Sequence, residues 1–160
     1  MIPGLRTIFI EQNTVSTIPI PNVIVFLYVF LLAMSEWSQL EVTMCLDVNR
    51  DRQDKSPSEI VLSRFVQRFK DHQWPSATRL PLIYFDPRSI HDDEPVRSSL
   101  HAKVIVVDGL KVFVSSANFT EAAQDRNIEV GLLIESRSIA DKISSHFETL
   151  VDRKVLQRAL

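Results

Sequence analysis

The sequence predicts an α/β protein, a mixed β-sheet flanked by helices. Three observations predict it. Short apolar runs of strand type alternate with segments of helical period from residue 40 onward. The pair Asp108-Gly109 joins two such runs in the manner of a β-hairpin. The chain has 160 residues, 45% of them apolar, enough for one domain with one sizeable core. The net charge of −2 excludes a globally basic nucleic-acid binder, so attraction for phosphate must come from a local patch. A single cysteine, Cys45, excludes an intrachain disulfide. It lies in the apolar run VTMCL and reads as a buried thiol, which fits a cytoplasmic location.

Residues 1–39 form an atypical N-terminal segment, apolar and proline-containing, ahead of a domain spanning 40–155. Within it, 7–11 reads as a strand. The run VIVFLYVFLLAM, 23–34, has 12 apolar residues, short of the roughly 18–20 needed to span a bilayer. It reads as a buried or partner-covered segment, with membrane association and a segment that does not fold natively as the alternatives. Residues 40–48 (LEVTMCLDV) read as a strand and the polar stretch after them as a loop. SEIVLSRFVQRFKDH is the clearest helix, with Ile60, Val61, Arg64, Phe65, Arg68 and Phe69 at helical spacing, its Phe/Ile/Val face as core, Ser56 or Ser58 as cap and Pro57 in the first turn. Trp74-Pro75 ends it. RLPLIYFD, 79–86, reads as a strand, and 87–99 as a loop whose Asp92, Asp93 and Glu94 are solvated rather than metal-binding. Strands follow at 101–107, 111–115 and 128–135, with a short helix at 120–124. The last helix covers 138–151, with Ile139, Ile143, Phe147 and Leu150 on one face.

The chemistry concentrates in LHAKVIVVDGLKVFVSSANFT. Strand residues i and i+2 share a face, so His101 and Lys103 project together. The antiparallel return brings Ser115, Ser116 and Asn118 back to their level. An imidazole that can attack phosphorus or relay a proton thus meets an ammonium, a hydroxyl and an amide that can hold an anion. Glu129, in the next strand, is the candidate carboxylate to take the imidazole's other N–H. The expectation is that the side chains at 101, 103, 116, 118 and 129 converge on one anion-sized pocket. Arg79, Arg88 and Arg97 are candidates to line a groove for a phosphodiester backbone.

The spacing His101, Lys103, Asp108, Ser115-Ser116-Ala117-Asn118 resembles the HKD motif of the phospholipase D superfamily, H-x-K-x4-D-x6-G-S-x-N, with Ser115 in place of the usual glycine. The flanking YFDPR and SSANFTEAAQDRNIEVGLLIE are similar to the phospholipase-D-like protein of the DISARM bacterial antiphage system. The resemblance implies a phospholipase D-like lobe and a metal-independent phosphodiesterase without a cofactor. His101 forms a phosphohistidine; Lys103, Ser116 and Asn118 hold the phosphoryl oxygens; Asp108 closes the strand in a structural or electrostatic role. The family builds each active site from two motif copies and this chain carries one. Either two chains pair as a homodimer with their His101 faces opposed, a partner supplies the second motif, or the chain is inactive alone, as a shortened two-lobe relative would be. Three functions compete: a nuclease of phage defence, a phospholipid-processing enzyme, and a catalytically silent scaffold in a defence complex.

Overall fold

The computed structural model describes residues 6–11, 24–74, 79–91, 98–116 and 128–160. Its elements are β1 (Arg6–Glu11), α1 (Ile24–Glu36), β2 (Glu41–Leu46), α2 (Ser58–Arg68), β3 (Leu82–Phe85), β4 (Val104–Val107), β5 (Lys111–Ser115), β6 (Gly131–Glu135), α3 (Arg137–Asp152) and β7 (Gln157–Arg158). All seven strands form one mixed sheet in the order β6-β5-β4-β1-β2-β3-β7. β1 runs parallel to β2, and β2 parallel to β3; the remaining pairs are antiparallel. The α/β class and the mixed sheet are as the sequence predicts.

Helices cover both faces. Along β2, Val42, Met44 and Leu46 enter a cluster with Phe65, Phe69 and Trp74 of the α2 unit and Leu27 and Met34 of α1. Cys45 points the other way, onto Phe147 of α3 and Leu156. This alternation along a strand covered on both sides explains why the run reads as almost continuously apolar. Burial pushes the Cys45 thiol up to about 12, so it stays protonated as an inert core side chain. Phe65 is at the centre of the larger cluster. Phe65→Ala is expected to cost about 3–5 kcal/mol, read as a lower urea midpoint at unchanged slope.

Several elements differ from expectation. The apolar run at 23–34 forms α1, which lies against β2. A run that is apolar all round has no amphipathic period to announce a buried face, so pattern alone leaves it unassigned. Val29 and Leu32 remain exposed on its outer side. Among the described residues, no helix is long and apolar enough to cross a membrane. β1 lies between β2 and β4 in the sheet. Pro57, rather than a serine, occupies the N-cap of α2, with no side-chain cap bond. α2 continues into a π-turn over Phe69–Gln73, closed by the Trp74 N–H on the Phe69 carbonyl (2.8 Å) and by stacking of the two rings. Ile60 of α2 and Ile139 of α3, both expected on a core face, are exposed, while Val61, Phe65, Ala140 and Phe147 are buried. β7 has no counterpart in the sequence reading, because a two-residue strand carries no periodicity. The acids at 92–94 and the short helix expected at 120–124 lie outside the described residues.

Candidate active site

The β4–β5 hairpin builds the site. Asp108 and Gly109 both take positive φ (54° and 58°), and the Leu110 N–H closes the turn on the Val107 carbonyl at 3.0 Å. Asp-Gly suits this conformation because aspartate tolerates the left-handed region and glycine has no Cβ to clash. The register runs from Val107↔Lys111 to Val104↔Val114, and the Ser115 N–H donates to the Lys103 carbonyl (3.0 Å) one step further on. β4 begins at Val104, so His101 and Lys103 lie on the segment entering the strand rather than within it.

Lys103 is only 6% exposed, and its ammonium is 3.0 Å from His101 Nδ1, 3.4 Å from Nε2 and 3.0 Å from the His101 carbonyl oxygen. An ammonium has donors and no acceptor, so the ring nitrogen facing it serves as acceptor. His101 itself is exposed. Just past the end of β5 and just before β6, which starts at Gly131 rather than at 128, the Ser116 hydroxyl donates to Glu129 Oε2 (2.5 Å) and accepts the Val130 N–H (3.1 Å). The Ser116 N–H also donates to the Val130 carbonyl (3.0 Å), which ties the end of β5 to the entry of β6. Two contact pairs, His101–Lys103 and Ser116–Glu129, lie beyond the same end of the sheet, where β4 and β6 begin and β5 ends; Ser116, one residue after the partner of Lys103, falls on the other side of the ladder. Ser115, directly across from Lys103, shares its side of the ladder.

The remaining expected residues are distributed differently. Asp108 is at the far end of β4, in the turn, and does not join the cluster. Arg79 is also at the opposite edge. Its guanidinium donates to the carbonyls of Met34 (2.7 Å), Trp37 (2.9 Å) and Leu40 (3.3 Å), closing the C-terminal end of α1. About 20 Å of β2, at ~3.3 Å per residue, separates it from the His101 edge. Its role there is structural, a correction to the expected substrate contact: orphan carbonyls at a helix end attract a multidentate cation. Arg88 is at the His101 edge, where Nε and Nη2 grip Asp86 (2.9, 3.1 and 2.6 Å). Asn118 and Arg97 lie outside the described residues.

Sequence reasoning passed over two carboxylates. Asp47 and Asp86 each follow directly on a parallel strand, β2 and β3, and are 1% and 7% exposed. The signal was present: two apolar strand runs, VTMCLD and LIYFD, each end in aspartate. In open α/β sheets the carboxyl ends of parallel strands are where ligands gather. Burial raises Asp47 above the ordinary carboxylate range and nearby Asp86 adds to this, against hydrogen bonds from Leu100, Ser99 and Asn49. Burial also opposes ionisation of Asp86, but hydrogen bonds from the Arg88 side chain and backbone, and its charge, hold that carboxyl below its usual value.

These shifts set opposite signs for stability. The folded Asp47 holds its proton more tightly than the unfolded chain does. The resulting stabilisation is full below the unfolded value of about 3.9 and is lost as pH rises through the raised folded value. Asp47→Asn removes this loss. The variant is expected to melt higher than the parent at pH 7, with the gap narrowing as pH falls through the raised Asp47 value and closed below about 4, as read by thermal unfolding across a pH series.

Comparison with known proteins adds the family. The model of the family described as "Cardiolipin synthase, PLD-like domain" matches residues 43–151. A phospholipase D of Rickettsia felis is 43% identical over 54 residues, 34% of this chain and 26% of the relative. The DISARM protein DrmC of Bacillus paralicheniformis is 55% identical over 42 residues, 26% of this chain and 18% of the relative. These matches thus span about a quarter or less of the curated relatives' length. Among solved structures, Nuc from Salmonella typhimurium, a phospholipase D family member, superposes with a TM-score of 0.56 at 15% identity, over 98% of this chain and 83% of that one. At that identity the likeness concerns the fold alone.

Proposed function

That the chain belongs to the phospholipase D-like domain family is the premise from which we propose its activity: cleavage of phosphodiesters without a metal, through a phosphohistidine on His101. The observation that carries this reading is the exposed imidazole of His101 held against the buried ammonium of Lys103 at the edge of the sheet. A ring nitrogen of His101 attacks phosphorus, the P–N bond forms and the P–O bond to the leaving alkoxide breaks. A second imidazole, from another copy of the chain, protonates that alkoxide. It then takes a proton from water, which attacks phosphorus and releases His101. Lys103, Ser116 and Asn118 hold the phosphoryl oxygens, and Glu129 orients the imidazole. Asp108 holds the hairpin turn.

One motif per chain calls for a homodimer. A two-fold pair would supply both histidines symmetrically. The edge strand supports this, since Ile128, Val130, Leu132 and Leu133 around Glu129 are exposed. An apolar sheet edge of that kind suits pairing with a second copy. The substrate is nucleic acid and the setting phage defence, in company with other defence proteins. The local identity to the DISARM protein DrmC supports that setting. Arg88, exposed at the site edge, and Arg97 contact the backbone of the substrate. The second reading, a phospholipid substrate, draws on the exposed apolar side chains Val29, Leu32 and Trp37 at α1 and on the cardiolipin synthase of the family description.

The test is hydrolysis of bis-p-nitrophenyl phosphate in excess EDTA, with oligomeric state measured by light scattering on the same sample. A dimer that turns over supports the reading. A folded dimer without turnover leaves the silent scaffold. Cleavage of single- and double-stranded DNA, RNA and cardiolipin-containing vesicles separates the substrates.

A further inference from the structure

We propose that Asp47 is a positioning residue for His101, a proposal that rests on the catalytic reading of His101 given above. Asp47 follows β2 directly and is buried, at the edge where β1, β2 and β3 end and β4 begins. Its Oδ1 accepts the Leu100 N–H at 3.1 Å and its Oδ2 accepts the Ser99 hydroxyl at 3.2 Å. Both donors immediately precede His101.

The need for such an anchor follows from the backbone. Residues 98–103 belong to no strand. On the downstream side, the Lys103 carbonyl is fixed by the Ser115 N–H. On the upstream side, the Asp47 carboxylate does the same work for Leu100, whose side chain also packs beside Cys45 and Phe147. His101 is thus suspended between two fixed points, one on β5 and one on β2. Its imidazole is solvent-facing and rests against the Lys103 ammonium. The main chain at Ser99 and Leu100 sets where the ring meets that ammonium. A carboxylate is suited to the task because its two oxygens can take a backbone N–H and a hydroxyl at once.

Burial of the group argues in the same direction. A buried carboxylate is costly unless hydrogen bonds compensate, and here, beside Asn49, two of the compensating donors come from the residues that lead into the nucleophile. Asp86, beside it, is occupied with Arg88, so the two neighbouring acids divide their tasks.

The experiment compares the 160-residue parent with Asp47→Ala, Asp47→Asn and Ser99→Ala. It records the imidazole Cε1–Hε1 correlation of His101, assigned from a His101→Gln spectrum, alongside steady-state kinetics on bis-p-nitrophenyl phosphate. Asp47→Ala is expected to shift and broaden the His101 correlation while those of His72 and His146 stay in place. It is expected to lower kcat by about 10²-fold with little change in KM, the cost of a nucleophile displaced by about an ångström. Asp47→Asn keeps an acceptor for the Leu100 N–H and is expected to restore the correlation and most of kcat. Ser99→Ala removes a single donor at an exposed position and is expected to move the same correlation less. It decides the question should Asp47→Ala not fold. A His101 correlation in Asp47→Ala that superposes on the parent, or in Ser99→Ala where the former is unfolded, overturns the proposal. A parent without turnover overturns the catalytic reading instead, and the spectra alone then decide whether Asp47 positions His101.

Discussion

His101→Ala is expected to reduce phosphodiester cleavage by roughly 10⁴-fold or more, the scale on which loss of a covalent nucleophile registers. The fold should be untouched, since the side chain is exposed and its main-chain anchors, Leu100 and Lys103, are unaffected. Circular dichroism and melting temperature close to the parent's, with product formation at background in EDTA, are the expected results. Acid-labile, base-stable phosphate trapped on the parent during turnover and absent from the variant would tie the loss to the imidazole. Cleavage by His101→Ala at a tenth of the parental rate or better would remove His101 from the chemistry. In a mixed dimer of parent and variant, the site whose two imidazoles include one alanine is expected to be dead.

Lys103→Met is expected to separate activity from stability. The ammonium is nearly sealed from solvent, and its head group is 3.0 Å from both the imidazole and the His101 carbonyl oxygen. A preorganised donor in such a place can meet charge developing on phosphoryl oxygens, and removing one donor of that kind costs about 10²–10³-fold in kcat. The same burial penalises the charge in the resting fold, so an apolar side chain of similar length is expected to leave the melting temperature equal or higher. Lys103→Arg is not a conservative substitution. Its planar fork does not fit a slot shaped for a point donor, and it is expected to lose activity as well. A Lys103→Met protein that melts much lower and retains parental kcat would show that the ammonium supports the fold rather than the reaction.

How legible the molecule is in its sequence varies with how local each signal is. The turn of the β4–β5 hairpin was legible because Asp108-Gly109 states its own backbone conformation, though β4 starts at Val104 rather than at 101. The α2 unit and α3 were legible from period, though Pro57 took the cap position and Ile139 faced out. α1 was not, because a uniformly apolar run offers no contrast between faces. Pairing of His101 with Lys103 followed from strand spacing, although the strand itself starts at Val104. The pairing of Ser116 with Glu129 needed the β5–β6 register, which no spacing rule provides. Arg79 looked like a free surface cation because its three partners are main-chain carbonyls some 40 residues earlier. Asp47 and Asp86 were passed over because a lone aspartate after a strand usually marks the start of a loop.

The position of β1 carries a consequence for biosynthesis. It is synthesised before the other described strands, yet it pairs on one side with β2 and on the other with β4, whose residues 104–107 arrive almost a hundred positions later. Long-range pairing of this sort closes slowly. Throughout translation of the intervening segment, a strand destined for the middle of the sheet and the apolar α1 after it stay incompletely covered, the condition under which nascent chains stick to one another or engage chaperones. Slower synthesis at lower temperature, or co-expression of a holdase, should therefore raise soluble yield more than any change to the surface of the finished molecule.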